Sequence, residues 1–206
     1  MAKHPGMSEA DKPQQALTLA NKITVCRILI LPVFVWLAAT YGGSLRDGTP
    51  EESWRIASAL VFLLAALSDA ADGLVARFLD QRTRLGSILD PIADKALLVS
   101  AILTLAISWP DAFPLWFPVL AVGRDLLAVT LVLLINHITR NVEIVPHWSG
   151  KCATFFQMAV CAWVLLRLPS PVLTPLLAAA GVFTFCSGIY YLAEGIRYLA
   201  RHEERE

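Results

Sequence analysis

Residues Arg55–Arg77 read "RIASALVFLLAALSDAADGLVAR". The first part is an apolar run of the length a bilayer demands, since about 20 apolar residues cross the hydrocarbon core. The second part sets Asp69 and Asp72 at the end of that run, where ionised carboxylates are unfavourable and are functional by default. The segment therefore reads as a membrane helix with a chemically active mouth. The same window applied outward finds roughly six apolar segments, near 23–41, 55–76, 88–108, 113–136, 150–168 and 172–198. Together they take up most of the 206 residues, of which 56% are hydrophobic. No stretch is left for a soluble domain with its own core. The expected fold is all-α: a polytopic membrane protein, a bundle of six transmembrane helices with a short basic N-terminal segment. A very apolar soluble bundle is the competing reading.

The formal net charge is zero, so total charge names no partner and gives no reason to expect nucleic acid. Its distribution is informative. One side collects Lys3, Lys12, Lys22 and Arg27, then Arg77, Arg82 and Arg84, then Arg140 and Lys151, and finally Arg197, Arg201 and Arg205. The other side has only Arg46, Arg55 and Arg167. By the positive-inside rule both termini are cytoplasmic, in agreement with an even number of spans. Residues 1–16 form a polar tail without the apolar stretch of a cleaved signal peptide. Residues 17–200 make the membrane domain, and 201–206 a charged tail. Cys26, Cys152, Cys161 and Cys186 form no CxxC pair and read as small core residues. Pro32 is placed to kink the first span. Trp109 and Trp116 read as interfacial aromatics at an outer turn. His4, His137, His147 and His202 lie in tail or loop contexts and are given no role.

Asp69 and Asp72 are three residues apart, and Asp90 and Asp94 four apart. On a helix either spacing puts both side chains on one face. The second and third spans are antiparallel and joined by a short connection, so the two pairs reach about the same depth. Four like charges there cannot all stay ionised without a partner. A divalent metal resolves the conflict, and carboxylate oxygens suit Mg²⁺, Mn²⁺ or Ca²⁺. No histidine stands near, which argues against zinc or a di-iron site. Two metals about 3.5–4 Å apart are a device for in-line displacement at phosphorus. Gly73 and Ala76 share the face of the first pair, and Gly86 sits a turn before Asp90. Small residues there let helices or a ligand approach the backbone. Pro91 puts the start of the third helix only a few residues before Asp90. Arg77 follows the first pair by about one turn, placed to hold a phosphate or to neutralise the cluster.

Asp69, Asp72, Gly73, Ala76, Arg77, Gly86, Asp90 and Asp94 stand in the spacing D-x2-D-G-x2-A-R-x8-G-x3-D-x3-D. This resembles the CDP-alcohol phosphatidyltransferase family at every one of those positions, and the six-span layout is similar over nearly the full length. The resemblance implies transfer of a phosphatidyl group from CDP-diacylglycerol to an alcohol, with release of CMP. It implies a dinuclear Mg²⁺ or Mn²⁺ site on Asp69, Asp72, Asp90 and Asp94, with Asp94 also the base for the acceptor hydroxyl. Asp69, Gly73, Ala76, Arg77 and Gly86 would line the cytidine diphosphate site. It further implies a homodimer in membrane lipid, in the bacterial inner membrane, with the active site on the cytoplasmic side.

The acceptor is read from other segments. "LTLANKITVCRILILPVF" and "SGKCATFFQM" resemble bacterial phosphatidylglycerophosphate synthases, whose acceptor is glycerol 3-phosphate. "VGRDLLAV" instead resembles cardiolipin synthases of the same superfamily, whose acceptor is phosphatidylglycerol. Both acceptors carry phosphate. Arg124, within a span, is either a ligand for that phosphate or a structural partner of Asp125, although neighbouring helical residues point about 100° apart. Lys151 either contacts the phosphate or snorkels to the headgroups. Lys95 screens the aspartates or pairs among them, and Asn21, Thr24 and Arg27 face the nucleotide or headgroup. A cation transporter using the carboxylates is the reading from another class. An intramembrane prenyltransferase ranks below it, because such enzymes generally need more spans.

Overall fold

The computed structural model describes residues 19–79, 84–139 and 148–203, with side chains over 26–68, 92–135 and 148–198 and at 200. The described chain is all-α. Its six helices are α1 (Leu19–Arg46), α2 (Glu52–Leu79), α3 (Arg84–Ser108), α4 (Trp116–Thr139), α5 (Trp148–Leu165) and α6 (Ser170–Glu203). Each expected apolar segment corresponds to one helix. Among the described residues three helical stretches are long and apolar enough to cross a membrane: Cys26–Arg46, Trp116–Ile135 and Ser170–Tyr198. The other helices carry further polar groups of interest. α2 and α3 hold the aspartates, and the 18-residue α5 holds Lys151 and Gln157.

α1 packs against both α2 and α3, and α6 packs against both α4 and α5. Contacts of α5 with α2 and α3, and of α3 with α4, join the two groups. The shared core includes Phe34, Phe62, Leu98, Ile102, Phe117 and Val160, all buried. Outward faces carry exposed Leu29, Leu64, Val119, Leu133, Phe155 and Phe185, apolar surface of the kind a protein presents to lipid. Gly42 sets a close helix approach. A Cβ there would lie 2.5 Å from the Ser108 Cβ, so only glycine lets α1 and α3 meet at this height.

α1 runs unbroken through Pro32. It ends in a Schellman turn: Thr49 N–H donates to Ser44 O at 3.0 Å and Gly48 N–H to Leu45 O at 3.2 Å. Gly48 takes the left-handed position with φ 73°, as glycine usually does there. α5 ends in the same motif, with Leu168 N–H donating to Trp163 O at 3.1 Å and Arg167 N–H to Val164 O at 3.0 Å. There the left-handed residue is Arg167, φ 54°.

Two expectations are corrected. Trp109 does not face lipid: it is buried, edge-on to Tyr41 at 5.4 Å, whereas Trp116 is exposed. The turn after α3 folds Trp109 back onto α1. Of the cysteines only Cys161 is a core residue; Cys152 is partly buried, and Cys26 and Cys186 lie on outward helix faces.

Candidate active site

α2 ends at Leu79 and α3 begins at Arg84. Counted along the helices, Asp69 and Asp94 each stand 10 residues from that connection, and Asp72 and Asp90 stand 7 and 6 residues from it. At about 1.5 Å per residue the pairs lie about 15 Å and about 10 Å into their helices. The side chains of Asp69, Asp72, Ala76, Arg77 and Asp90, and the surroundings of Gly73 and Gly86, lie outside the described residues, as do those of Asn21 and Thr24. Among the described residues no three His, Cys, Asp or Glu side chains stand together.

Asp94 is described, and it is partly exposed. Its Oδ1 accepts a hydrogen bond from Nη1 of Arg27 at 2.5 Å. The arginine side chain is only 2% exposed. A buried guanidinium needs an anion, and α1 delivers this one to the first turns of α3. Arg27 is thus placed beside the aspartate motif, a role its sequence context only hinted at.

The next residue, Lys95, pairs with α4. Its Nζ donates to Oδ1 of Asp125 at 2.6 Å. Arg124 Nη1 donates to the same oxygen at 2.7 Å. The two neighbours on α4 do meet, because the long arginine stem bends its head back over the distance that separates their Cβ directions. Arg124 is buried, and its remaining hydrogen bonds go to α6: Nε and Nη2 donate to Ser187 Oγ at 3.1 and 2.7 Å. The Tyr191 ring lies 5.3 Å from its Cζ, within cation–π range. Gly150, at the start of α5, makes the room. A Cβ there would lie 2.6 Å from Arg124 Nη2 and 3.2 Å from the Tyr191 hydroxyl.

These groups form one end of a cavity of about 640 Å³ whose lining includes Lys95, Arg124, Asp125, Gly150, Lys151 and Tyr191. The rest of its wall is apolar, from Val99 and Val122 to Phe155 and Met158. Three cations face one carboxylate, so the polar end is net positive, and Lys151 is exposed to it. Sequence reading missed Ser187, Tyr191 and Gly150. Their only signal is small or polar residues inside apolar helices, in "SGK" and "CSGIYY".

Residues 17–186 match the family model described as CDP-alcohol phosphatidyltransferase. The chain belongs to the CDP-alcohol phosphatidyltransferase family. It is therefore an integral membrane enzyme of phospholipid synthesis that uses CDP-diacylglycerol and an alcohol acceptor, and members of this family use divalent metals. The match is to a family of enzymes, not of cation transporters. A Bacillus subtilis protein named CDP-diacylglycerol–glycerol-3-phosphate 3-phosphatidyltransferase is 36% identical over 187 residues, covering 85% of this chain and 94% of that protein. A Mycobacterium tuberculosis protein named "Probable phosphatidylglycerophosphate synthase" is 35% identical over 182 residues, 87% of this chain and 82% of its own length. A Streptomyces coelicolor protein named cardiolipin synthase (CMP-forming) is 29% identical over 191 residues, 91% of this chain and 83% of its own.

Proposed function

We propose that this phosphatidyltransferase uses glycerol 3-phosphate as acceptor, producing phosphatidylglycerophosphate and CMP. The observation that carries the reading is the basic end of the cavity lined by Lys95, Arg124 and Lys151. Lys95, Arg124 and Lys151 against Asp125 leave two positive charges in excess, the complement of a phosphate monoester dianion. Arg124 is held by Ser187, Asp125 and Tyr191, so its guanidinium is preorganised for an anion and loses little freedom on binding one. In this reading Arg124 and Lys151 hold the acceptor phosphate. Asp94, one residue from Lys95, takes the proton of the acceptor hydroxyl as its oxygen attacks the phosphorus that bears the diacylglycerol. The bond from that phosphorus to the CMP oxygen breaks, and CMP leaves.

The donor set fits a dinuclear Mg²⁺ or Mn²⁺ site. Asp69, Asp72, Asp90 and Asp94 are hard oxygen ligands, and no histidine is among the described side chains. When bound, the metals neutralise the diphosphate and stabilise the leaving CMP. Asp69, Gly73, Ala76, Arg77 and Gly86 would bind the cytidine diphosphate. Arg27 supplies Asp94 with a counter-charge at Oδ1, and a carboxylate has a second oxygen to offer a metal or a proton. The rest of the reading is six spans, both termini and the active site on the cytoplasmic side of a bacterial inner membrane, and a homodimer.

The second reading is a cardiolipin synthase with phosphatidylglycerol as acceptor. The apolar wall of the same cavity favours it, because Val99, Val122, Phe155 and Met158 suit an acyl chain. One assay separates the two. Purified protein is given CDP-diacylglycerol and Mg²⁺ with either glycerol 3-phosphate or phosphatidylglycerol, and the lipid products are resolved. Phosphatidylglycerophosphate from the first mixture supports the proposal. Cardiolipin from the second mixture, with no product from the first, transfers the assignment to the second reading.

A further inference from the structure

At the end of the bundle away from Asp94, α1 and α3 finish, α2 begins, and α5 turns into α6. Ser108 lies 14 residues beyond Asp94 on α3, about 21 Å along the axis. The sequence places only Arg46, Arg55 and Arg167 on this side. All three line one cavity of about 420 Å³, together with Trp109 and Asp111. Basic residues are sparse on this face of a membrane protein, so their convergence needs a reason.

Holding helix ends together accounts for part of it. Arg46 Nη2 donates to Ile107 O at 2.7 Å, and Arg55 Nη1 donates to Leu165 O at 2.7 Å. Glu52 accepts from Arg55 at 2.5 Å and from Arg167 at 2.6 Å. One carboxylate therefore serves two guanidiniums, each of which has five N–H donors. Arg167 is the part that helix stapling leaves unexplained. It occupies the left-handed position of a Schellman turn, where a residue with a Cβ is disfavoured and glycine is usual; Gly48 fills that position on α1. Its side chain is 65% exposed, and an exposed ion pair adds little stability. In the same cavity, Trp109 is 7% exposed and its buried Nε1–H has no acceptor among the described residues.

We propose that this cavity binds the phosphate of an anionic phospholipid in the leaflet opposite the aspartates. Guanidinium forks match phosphate oxygens in pairs. Arg46 closes the Cys26–Arg46 stretch, and Arg167 lies three residues before the Ser170–Tyr198 stretch, so the guanidiniums stand where a membrane presents headgroups. That placement favours a lipid over free phosphate. The site is separate from the acceptor cavity and does not depend on which alcohol the enzyme uses.

The test is a binding measurement on the full chain in neutral detergent. Phosphatidylglycerol, phosphatidylcholine and millimolar inorganic phosphate are titrated separately. Native mass spectrometry counts bound lipid, and thermal unfolding follows stability. Wild type and Arg167→Gly are compared, with Arg46→Gln as the second variant. Arg167→Gly removes backbone strain as well as charge, so without lipid it should melt no lower than wild type. It should nevertheless lose one phosphatidylglycerol-binding event, or weaken it about tenfold, and Arg46→Gln should weaken the same event. Lipid bound at the acceptor cavity would persist in both variants. Wild-type occupancy in both variants overturns the site. Equal binding of phosphatidylcholine, or equal protection by inorganic phosphate, overturns the assignment to an anionic lipid.

Discussion

Gly150→Ala puts a methyl group where the Arg124 guanidinium now rests. The added Cβ would lie 2.6 Å from Nη2, and a normal contact begins near 3.4 Å, so the nitrogen must retreat by about 0.8 Å. The guanidinium is held by Ser187 at 2.7 Å, by Asp125 at 2.7 Å and by the Tyr191 ring. A retreat of that size loosens at least one of these. Hydrogen bonds to charged groups contribute about 1.5–3 kcal/mol, which converts to a ten- to hundredfold rise, roughly, in KM for the acceptor. The fold should survive, because alanine is the better helix former by about 1 kcal/mol. CMP release is measured against glycerol 3-phosphate at saturating CDP-diacylglycerol. Gly123→Ala is the control, since nothing lies within 4 Å of its added Cβ. The expected signature is a raised acceptor KM with the KM for CDP-diacylglycerol unchanged. An unchanged acceptor KM in folded Gly150→Ala protein would refute the assignment of Arg124 to the acceptor phosphate.

Asp94→Asn gives the buried Arg27 a neutral oxygen in place of its anion, so the melting temperature should fall; in protein that still folds, CMP release should drop by about a hundredfold or more, as for loss of a general base. Wild-type turnover in the folded variant would remove Asp94 from the chemistry, and full turnover of the wild type in a chelator would remove the metals. Gly42→Ala should lower the melting temperature, because its Cβ meets the Ser108 Cβ at 2.5 Å and Cα at 3.0 Å. Overpacking of this kind costs about 1–3 kcal/mol. Gly43→Ala, with open space around it, should leave the melting temperature unchanged or raise it. The hydrogen bond from Arg55 holds the Glu52 carboxyl below its ordinary value of 4.5. A lowered carboxylate pKa contributes stability that is present above the unfolded value and lost as pH falls through the folded one. Wild type should therefore lose more melting temperature than Glu52→Gln between neutral pH and the acid side of the carboxylate range. Parallel losses in the two proteins would show that Glu52 contributes nothing.

The helices were legible in the linear chain because their determinants are local. Apolar run length sets a membrane helix, and the Gly48 turn and the Pro-rich connections lie within a few residues of the ends they cap. The aspartate motif was legible for the same reason, since Asp69 to Asp94 spans two helices and one short connection. Pairings across the bundle were not. Arg27 finds Asp94 across 67 residues, and Arg124 finds Ser187 across 63. Neither partner carries a mark of the other, because side chains on separate helices meet only when packing sets depth and rotation. The same holds for Gly150, whose missing side chain matters only once Arg124 lies against it. Arg46, Arg55 and Arg167 looked like leftovers of the charge count until three helix ends brought them to one cavity. Local composition thus specified the helices and the chemistry of the aspartates, whereas helix packing alone chose which cations face which anions.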